Sequence, residues 1–243
     1  ESSKAVGRTK TQVLATIRTH DIADRPCADI RSPDLVDFAR ELRSKVQPQT
    51  VANYMSHLAA VFAVARPAWG YELDQQAMAD AMVVAKRLGL TAKSRQRDRR
   101  PSLAEMDRLM THFTGVKERR PSSNPMASIV AFALFSTRRQ EEIVSIRWAD
   151  LDEDGSRVLV RDMKNPGEKI GNDAWCDLPE PALRIIRAQP RVAEAIFPFS
   201  TDAIGAAFTR AVALLGIDDL HFHDLRHDGV SRLFEMGLNI PHV

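Results

Sequence analysis

The sequence predicts a mainly α-helical fold with one small antiparallel β-sheet, and three observations carry that reading. Apolar residues recur at helical spacing through the first hundred positions, where no convincing strand alternation appears. Ser102-Leu103-Ala104-Glu105 is a capping box that opens a second run of helices. Asp154-Gly155 and Asn165-Pro166-Gly167 are turn signals on either side of Arg157 to Met163, which alternates as a strand, with Glu168 to Leu178 as its partner. The organisation expected is a helical domain over residues 1–90, a basic linker over 91–101 and a mixed α/β domain over 102–243.

Taken in order, Val13, Leu14 and Ile17 mark a helix from Arg8 to Thr19, and Asp21 to Arg31 carries loop residues. Ser32-Pro33-Asp34 reads as an N-cap followed by proline at the first helical position, with Leu35, Phe38, Ala39 and Leu42 as the buried face. After Pro48, the residues Val51, Tyr54, Met55, Leu58, Val61, Phe62 and Ala65 form the strongest amphipathic pattern of the first half, ended by Pro67. Leu73 to Leu88 is a fourth helix, so this part reads as a compact helical bundle. In the second domain Asn124-Pro125 starts a helix whose near-continuous apolar run, Ile129 to Phe135, makes it the core helix. Leu183 to Ala188 and Ile204 to Leu215 follow, and residues 221–237 close the pattern with Val230, Leu233 and Phe234 at helical spacing.

Composition sets the class. With 44% apolar and 27% charged residues, 243 positions can bury one large core or two modest ones. Cys27 and Cys176 lie far apart with no metal-ligand spacing, which argues against a disulfide framework or structural zinc and for a reducing cytoplasm. The longest apolar run, Met126 to Phe135, is too short to span a bilayer, and no signal-peptide pattern opens the chain, so a soluble protein is expected. A first residue of Glu1 rather than Met suggests part of a longer chain. Residues 1–100 hold 17 Lys+Arg against 11 Asp+Glu, net +6, and residues 101–243 the other 17 against 21, net −4. The densest basic cluster is Lys93, Arg95, Arg97, Arg99 and Arg100, which reads either as a solvated linker or as a contact for a polyanion.

Two stretches could carry chemistry. His223, Arg226 and His227 share one face of a helical first turn, where cations and unpaired backbone amides suit a phosphate or carboxylate. His221, His223 and His227 lack the further partners of a zinc site, so no metal is expected. Arg138 and Arg139 stand just before Glu141 and Glu142. Alone they would read as an exposed helix with ion pairs, Arg138 with Glu142.

Together, STRRQEEIVSIRWADLD (residues 136–152) and LHFHDLRHDGVSRLFEMG (residues 220–237) resemble the two arginine boxes of the tyrosine recombinase (phage integrase) family, whose usual forms are TGxRxxEIxxLxWxDID and HxLRHxxA. The wording around HFHDLRH is similar to shufflon-type and phage or plasmid integrases. TVANYMSHLAAVFAVA (residues 50–65) looks like part of the family's core-binding domain, a DNA-binding module. The resemblance implies a core-binding domain joined to a recombinase catalytic domain. It gives Arg139 and Arg226 the roles of the catalytic arginines, Glu142 that of the structural acid, His223 that of the box histidine with His227 in support, and Lys164 that of the hairpin lysine. Arg138 competes with Arg139, because Thr137 stands at the usual glycine, and Lys169 competes with Lys164.

What the resemblance implies chemically is attack of a tyrosine oxygen on a DNA phosphodiester, giving a 3′-phosphotyrosine and a free 5′-hydroxyl, without metal or cofactor. Two guanidinium forks suit the charge on the non-bridging oxygens, a lysine the leaving oxygen and a histidine the tyrosine proton. The tyrosines present are Tyr54 and Tyr71, both in the first domain, so the nucleophile is expected beyond Val243 and this chain alone is expected to be inactive. The implied partners are double-stranded DNA, met by Lys93, Arg95, Arg97, Arg99 and Arg100, further copies in a homo-tetramer on two synapsed sites, and accessory DNA-bending proteins. No membrane is implied, and the setting is the cytoplasm of a bacterial cell or phage-infected host. Two alternatives share these residues: a non-catalytic DNA-binding regulator that keeps the fold, and a type IB topoisomerase.

Overall fold

A computed structural model describes residues 7–94, 97–163 and 171–238. The chain divides into two compact units, Glu1–Gln96 and Arg97–Val243. The second therefore begins inside the stretch read as linker.

The first unit is helical, with α1 (Arg8–Ile17), α2 (Ser32–Lys45), α3 (Pro48–Trp69) and α4 (Gln75–Arg87). Leu35, Phe38, Val51, Met55, Phe62, Met78 and Ala81 form its core. Local chemistry sets the helix ends, and it moves several of those expected. Helix α2 is capped by Arg31 rather than Ser32, because the Asp34 carboxylate reaches back to accept the Arg31 N–H at 2.8 Å. Ser32 and Pro33 then occupy the first turn, where a missing N–H is harmless. Helix α3 runs through Pro67, which lies within its last turn, and ends where Gly70 turns left-handed at φ +73°. Asp74 accepts from the N–H groups of Gln76 and Ala77, which starts α4 two residues later than its apolar pattern.

The second unit is built around one buried helix. It contains α5 (Leu103–Arg119), α6 (Met126–Ser136), α7 (Gln140–Ser145), α8 (Glu180–Arg187), α9 (Thr201–Leu214) and α10 (Phe222–Glu235). The Ser102 hydroxyl accepts the Glu105 N–H, and the Glu105 carboxylate accepts the Ser102 N–H at 2.7 Å, so the expected capping box is present. Helix α6 packs against α5, α8, α9 and α10. Its Ile129 and Phe132 are fully buried, each contributing roughly 1.5–3 kcal/mol by removal from water. Where α10 crosses α6, a Cβ on Gly229 would fall inside contact distance of the Leu134 carbonyl oxygen, so the two backbones approach as only glycine permits.

A three-stranded antiparallel sheet, order β1-β2-β3, joins β1 (Leu151–Asp152), β2 (Arg157–Val160) and β3 (Ala174–Asp177). Val158 pairs with Leu151 on one side and Cys176 on the other. Strand β2 stops three residues short of the expected Met163. Asp162 adopts a left-handed φ of +50° there, with its carboxylate accepting the Gly171 N–H. The Asn165-Pro166-Gly167 turn lies outside the described residues, as does the first part of the Glu168–Leu178 segment. Among the described residues no helix is long and apolar enough to cross a membrane.

Candidate active site

The site lies on the second unit, where the turn after α6 meets the first turns of α10. Thr137 ends α6 in the left-handed region at φ +55° and is buried, which gives a physical reason for glycine being usual at this place in the resembled pattern. Arg139 then caps α7. Glu142 accepts both its N–H at 3.0 Å and its Nη1 at 2.7 Å. Because Glu142 is buried, this pair anchors the Arg139 guanidinium from below, while the arginine side chain stays 33% exposed. The ion pair expected between Arg138 and Glu142 is replaced by this one. Arg138 turns the other way and donates to the Ser136 carbonyl, the Thr137 hydroxyl and, at 2.9 Å, the Cys176 sulfur. Burial pushes the Cys176 thiol up, with Arg138 opposing. The two arginines line separate hollows, Arg139 with Glu142, Arg147 and Arg161, and Arg138 with Trp175 and Cys176.

Helix α10 brings the second cationic group to this turn. Arg226 is half-buried and its Nη1 donates to the Thr137 carbonyl, so the two arginine boxes are joined through one backbone oxygen. Burial, and then the nearby cations Arg138 and Arg139, hold the Arg226 pKa below its ordinary value. Among the described residues Arg226 pairs with no carboxylate, so an anion entering here would meet a charge already desolvated and unneutralised. His223 and His227 face outward one turn apart, their rings edge-to-face at 4.8 Å. Partial desolvation, with His227, Arg226 and Arg139 beside it, lowers the His223 pKa and favours the neutral imidazole.

The opposite side of α10 carries what sequence reading passed over. Asp224 and Asp228 are fully buried. Asp224 accepts from Arg97 Nε at 3.0 Å, Arg97 Nη2 at 2.8 Å and the His221 N–H at 2.8 Å. Burial pushes its carboxyl up, but the Arg97 and His221 hydrogen bonds outweigh this and hold it low. Asp228 accepts from Arg100 Nε at 2.7 Å and Arg232 Nε at 2.8 Å. Arg99 pairs with Glu105 and draws that carboxyl down to about 2, helped by the Ser102 N–H. Three of the five basic residues read as DNA contacts thus sit on carboxylates of their own unit. Lys93 is exposed. Arg95, Lys164 and Lys169 lie outside the described residues. One signal for the buried pair was available, two aspartates four apart inside the HDLRHD motif, on the side of the helix away from its cations.

A family model described as the phage integrase family matches residues 102–243. The chain belongs to the phage integrase family. A shufflon-specific DNA recombinase of Escherichia coli is 26% identical over 93% of this chain and 57% of its own length. The chain thus spans a little over half of that integrase relative. Among solved structures, the Tn1549 transposon integrase in complex with a circular intermediate DNA matches with a TM-score of 0.70 at 14% identity, covering 98% of this chain and 84% of that one. A lambda integrase dimer bound to a COC' core site matches with a TM-score of 0.71 at 17% identity, covering 97% and 85%. Lambda integrase is also known as a tetramer bound to a Holliday junction, with a TM-score of 0.69 at 18% identity over 98% of this chain and 70% of that one. The mainly helical fold with its small antiparallel sheet is therefore that of the integrases.

Proposed function

We propose that this chain holds the phosphate-binding core of a site-specific recombinase that cleaves and rejoins DNA through a 3′-phosphotyrosine intermediate. The observation that supports it best is the meeting of Arg139, anchored on Glu142, with the unneutralised Arg226 and the outward His223 at one turn. In this reading the tyrosine oxygen attacks phosphorus, the bond to the 5′-oxygen breaks, and the forks of Arg139 and Arg226 hold the charge that gathers on the non-bridging oxygens. Neutral His223 takes the tyrosine proton, His227 backs its ring, and Lys164 returns a proton to the leaving 5′-oxygen. Tyr54 and Tyr71 both belong to the first unit, so the nucleophile is assigned to sequence encoded beyond Val243. The partners proposed are duplex DNA, with Lys93 and Arg95 on its phosphates, and a homo-tetramer on two synapsed sites in the bacterial cytoplasm.

The test is covalent trapping. Full-length protein on a nicked duplex that loses its 5′ fragment after cleavage is expected to give an SDS-stable adduct whose DNA is joined to a tyrosine. Tight binding with no adduct would instead support a DNA-binding regulator that has kept the fold. Lys164 is tested on two substrates. With Lys164→Ala the defect on a natural 5′-oxygen should largely disappear on a 5′-bridging sulfur, whose thiolate leaves without a proton, whereas equal defects would move the role elsewhere.

A further inference from the structure

We propose that Arg97 and Arg100 are positioning residues for cleavage, two guanidinium clamps that fix the orientation of α10 through the buried carboxylates of Asp224 and Asp228. This rests on the reading of α10 as the carrier of Arg226 and His223. In a helix, successive side chains turn by about 100°, so His223, Arg226 and His227 share one sector, Asp224 and Asp228 a second, and Gly229 a third. Each sector has its own neighbour. Gly229 meets the Leu134 carbonyl of α6, and the aspartates meet Arg97, Arg100 and Arg232. The sector of His223, Arg226 and His227 is left to face the phosphate. A roll of α10 about its axis would carry Arg226 and His223 away together, and the clamps oppose that roll.

The same geometry argues against these two arginines as phosphate contacts. Arg97 has Nε on Asp224, Nη1 on Asp219 and Nη2 on both Asp224 and the Asp219 carbonyl. Arg100 has Nε on Asp228 and both terminal nitrogens on Glu235. Each guanidinium faces two carboxylates, so neither site offers net positive charge to DNA. Withdrawal of either arginine onto a phosphate would leave a fully buried aspartate short of its partner, a costly state.

Full-length Arg97→Gln, Arg100→Gln, the milder Arg97→Lys, Asp224→Asn and the Arg97→Gln/Asp224→Asn double variant provide the test. Three quantities are read: duplex affinity against salt, single-turnover cleavage at saturating protein, and hydrogen exchange of the α10 amides. Expected are an unchanged salt slope, cleavage at least tenfold slower, exchange at least tenfold faster, partial recovery in Arg97→Lys, and a double variant no worse than its poorer parent. A salt slope falling by about one per arginine with the saturated cleavage rate intact would overturn the proposal and make these residues DNA contacts. Unchanged α10 exchange would overturn it even if the protein proved not to cleave DNA. Absence of cleavage by the unaltered protein would remove the functional reading alone.

Discussion

Arg138 and Arg139 are adjacent and chemically identical, yet a single buried acid separates their surroundings. Glu142 holds the Arg139 backbone and side chain together, whereas among the described residues Arg138 donates to neutral groups, the Ser136 carbonyl, the Thr137 hydroxyl and the Cys176 sulfur. Sequence spacing favoured the Arg138–Glu142 pair because four residues make one helical turn. It could not show that α7 starts only at Gln140, which leaves Arg139 as the cap. His223 yields a prediction about pH. Its pKa lies below the ordinary 6.5, first from desolvation and then from His227, Arg226 and Arg139. A histidine depressed in the folded state stays neutral as pH falls through the unfolded value, so stability declines from that value downward while the folded protein keeps the base form until lower pH. The acid limb that His223 contributes to the second-order cleavage constant should therefore lie below pH 6.5. A limb at or above that value that vanishes in His223→Gln would contradict the assignment.

Among the elements, α6 and α10 determine the site, and Gly229 sets their approach. Gly229→Ala would push a Cβ against the Leu134 carbonyl, which a backbone cannot easily yield. We expect a loss of about 1–3 kcal/mol in urea unfolding, with slower cleavage, and an unaffected midpoint would show the crossing to be looser than described. The capping box of α5 gives a second prediction. Arg99 and the Ser102 N–H lower the Glu105 pKa from 4.5 to about 2, so its stabilisation is full above 4.5 and fades as pH falls toward 2. Glu105→Gln should flatten the acid loss of stability over that window, and an identical acid profile would remove the pair from the account. Much of this was legible beforehand. Apolar patterning located most of the helices among the described residues, the Ser102 box located the start of α5, and Asp154-Gly155 located the first turn of the sheet. Helix ends were less legible because they depend on which side chain reaches an orphan amide. Asp34 moved one start to Arg31, and Asp74 moved another. The length of β2 was hidden because alternation continues past the left-handed residue Asp162 that ends the strand. The aspartates behind HDLRH were hidden for a different reason. Their partners, Arg97 and Arg100, lie more than a hundred residues away, and nothing local to either segment announces the pairing.

For the whole molecule, the two units redistribute the charge seen along the chain. Residues 1–96 carry 14 Lys+Arg and 10 Asp+Glu, and residues 97–243 carry 20 and 22, so the basic excess is smaller than the sequence halves suggest. If Lys93 and Arg95 meet phosphates, replacing both with glutamine should weaken binding to all duplexes alike and lower the salt slope by about two. An unaltered slope would take this tether off the DNA. The central claim, that Arg139 and Arg226 together hold a scissile phosphate, is tested most directly by single-turnover cleavage with full-length Arg139→Ala and Arg226→Ala at saturating protein. The prediction is a fall of about 100-fold or more in each, with duplex affinity nearly unchanged and only partial recovery in Arg139→Lys and Arg226→Lys, since lysine lacks the planar fork. Near wild-type cleavage by both alanine variants would contradict it.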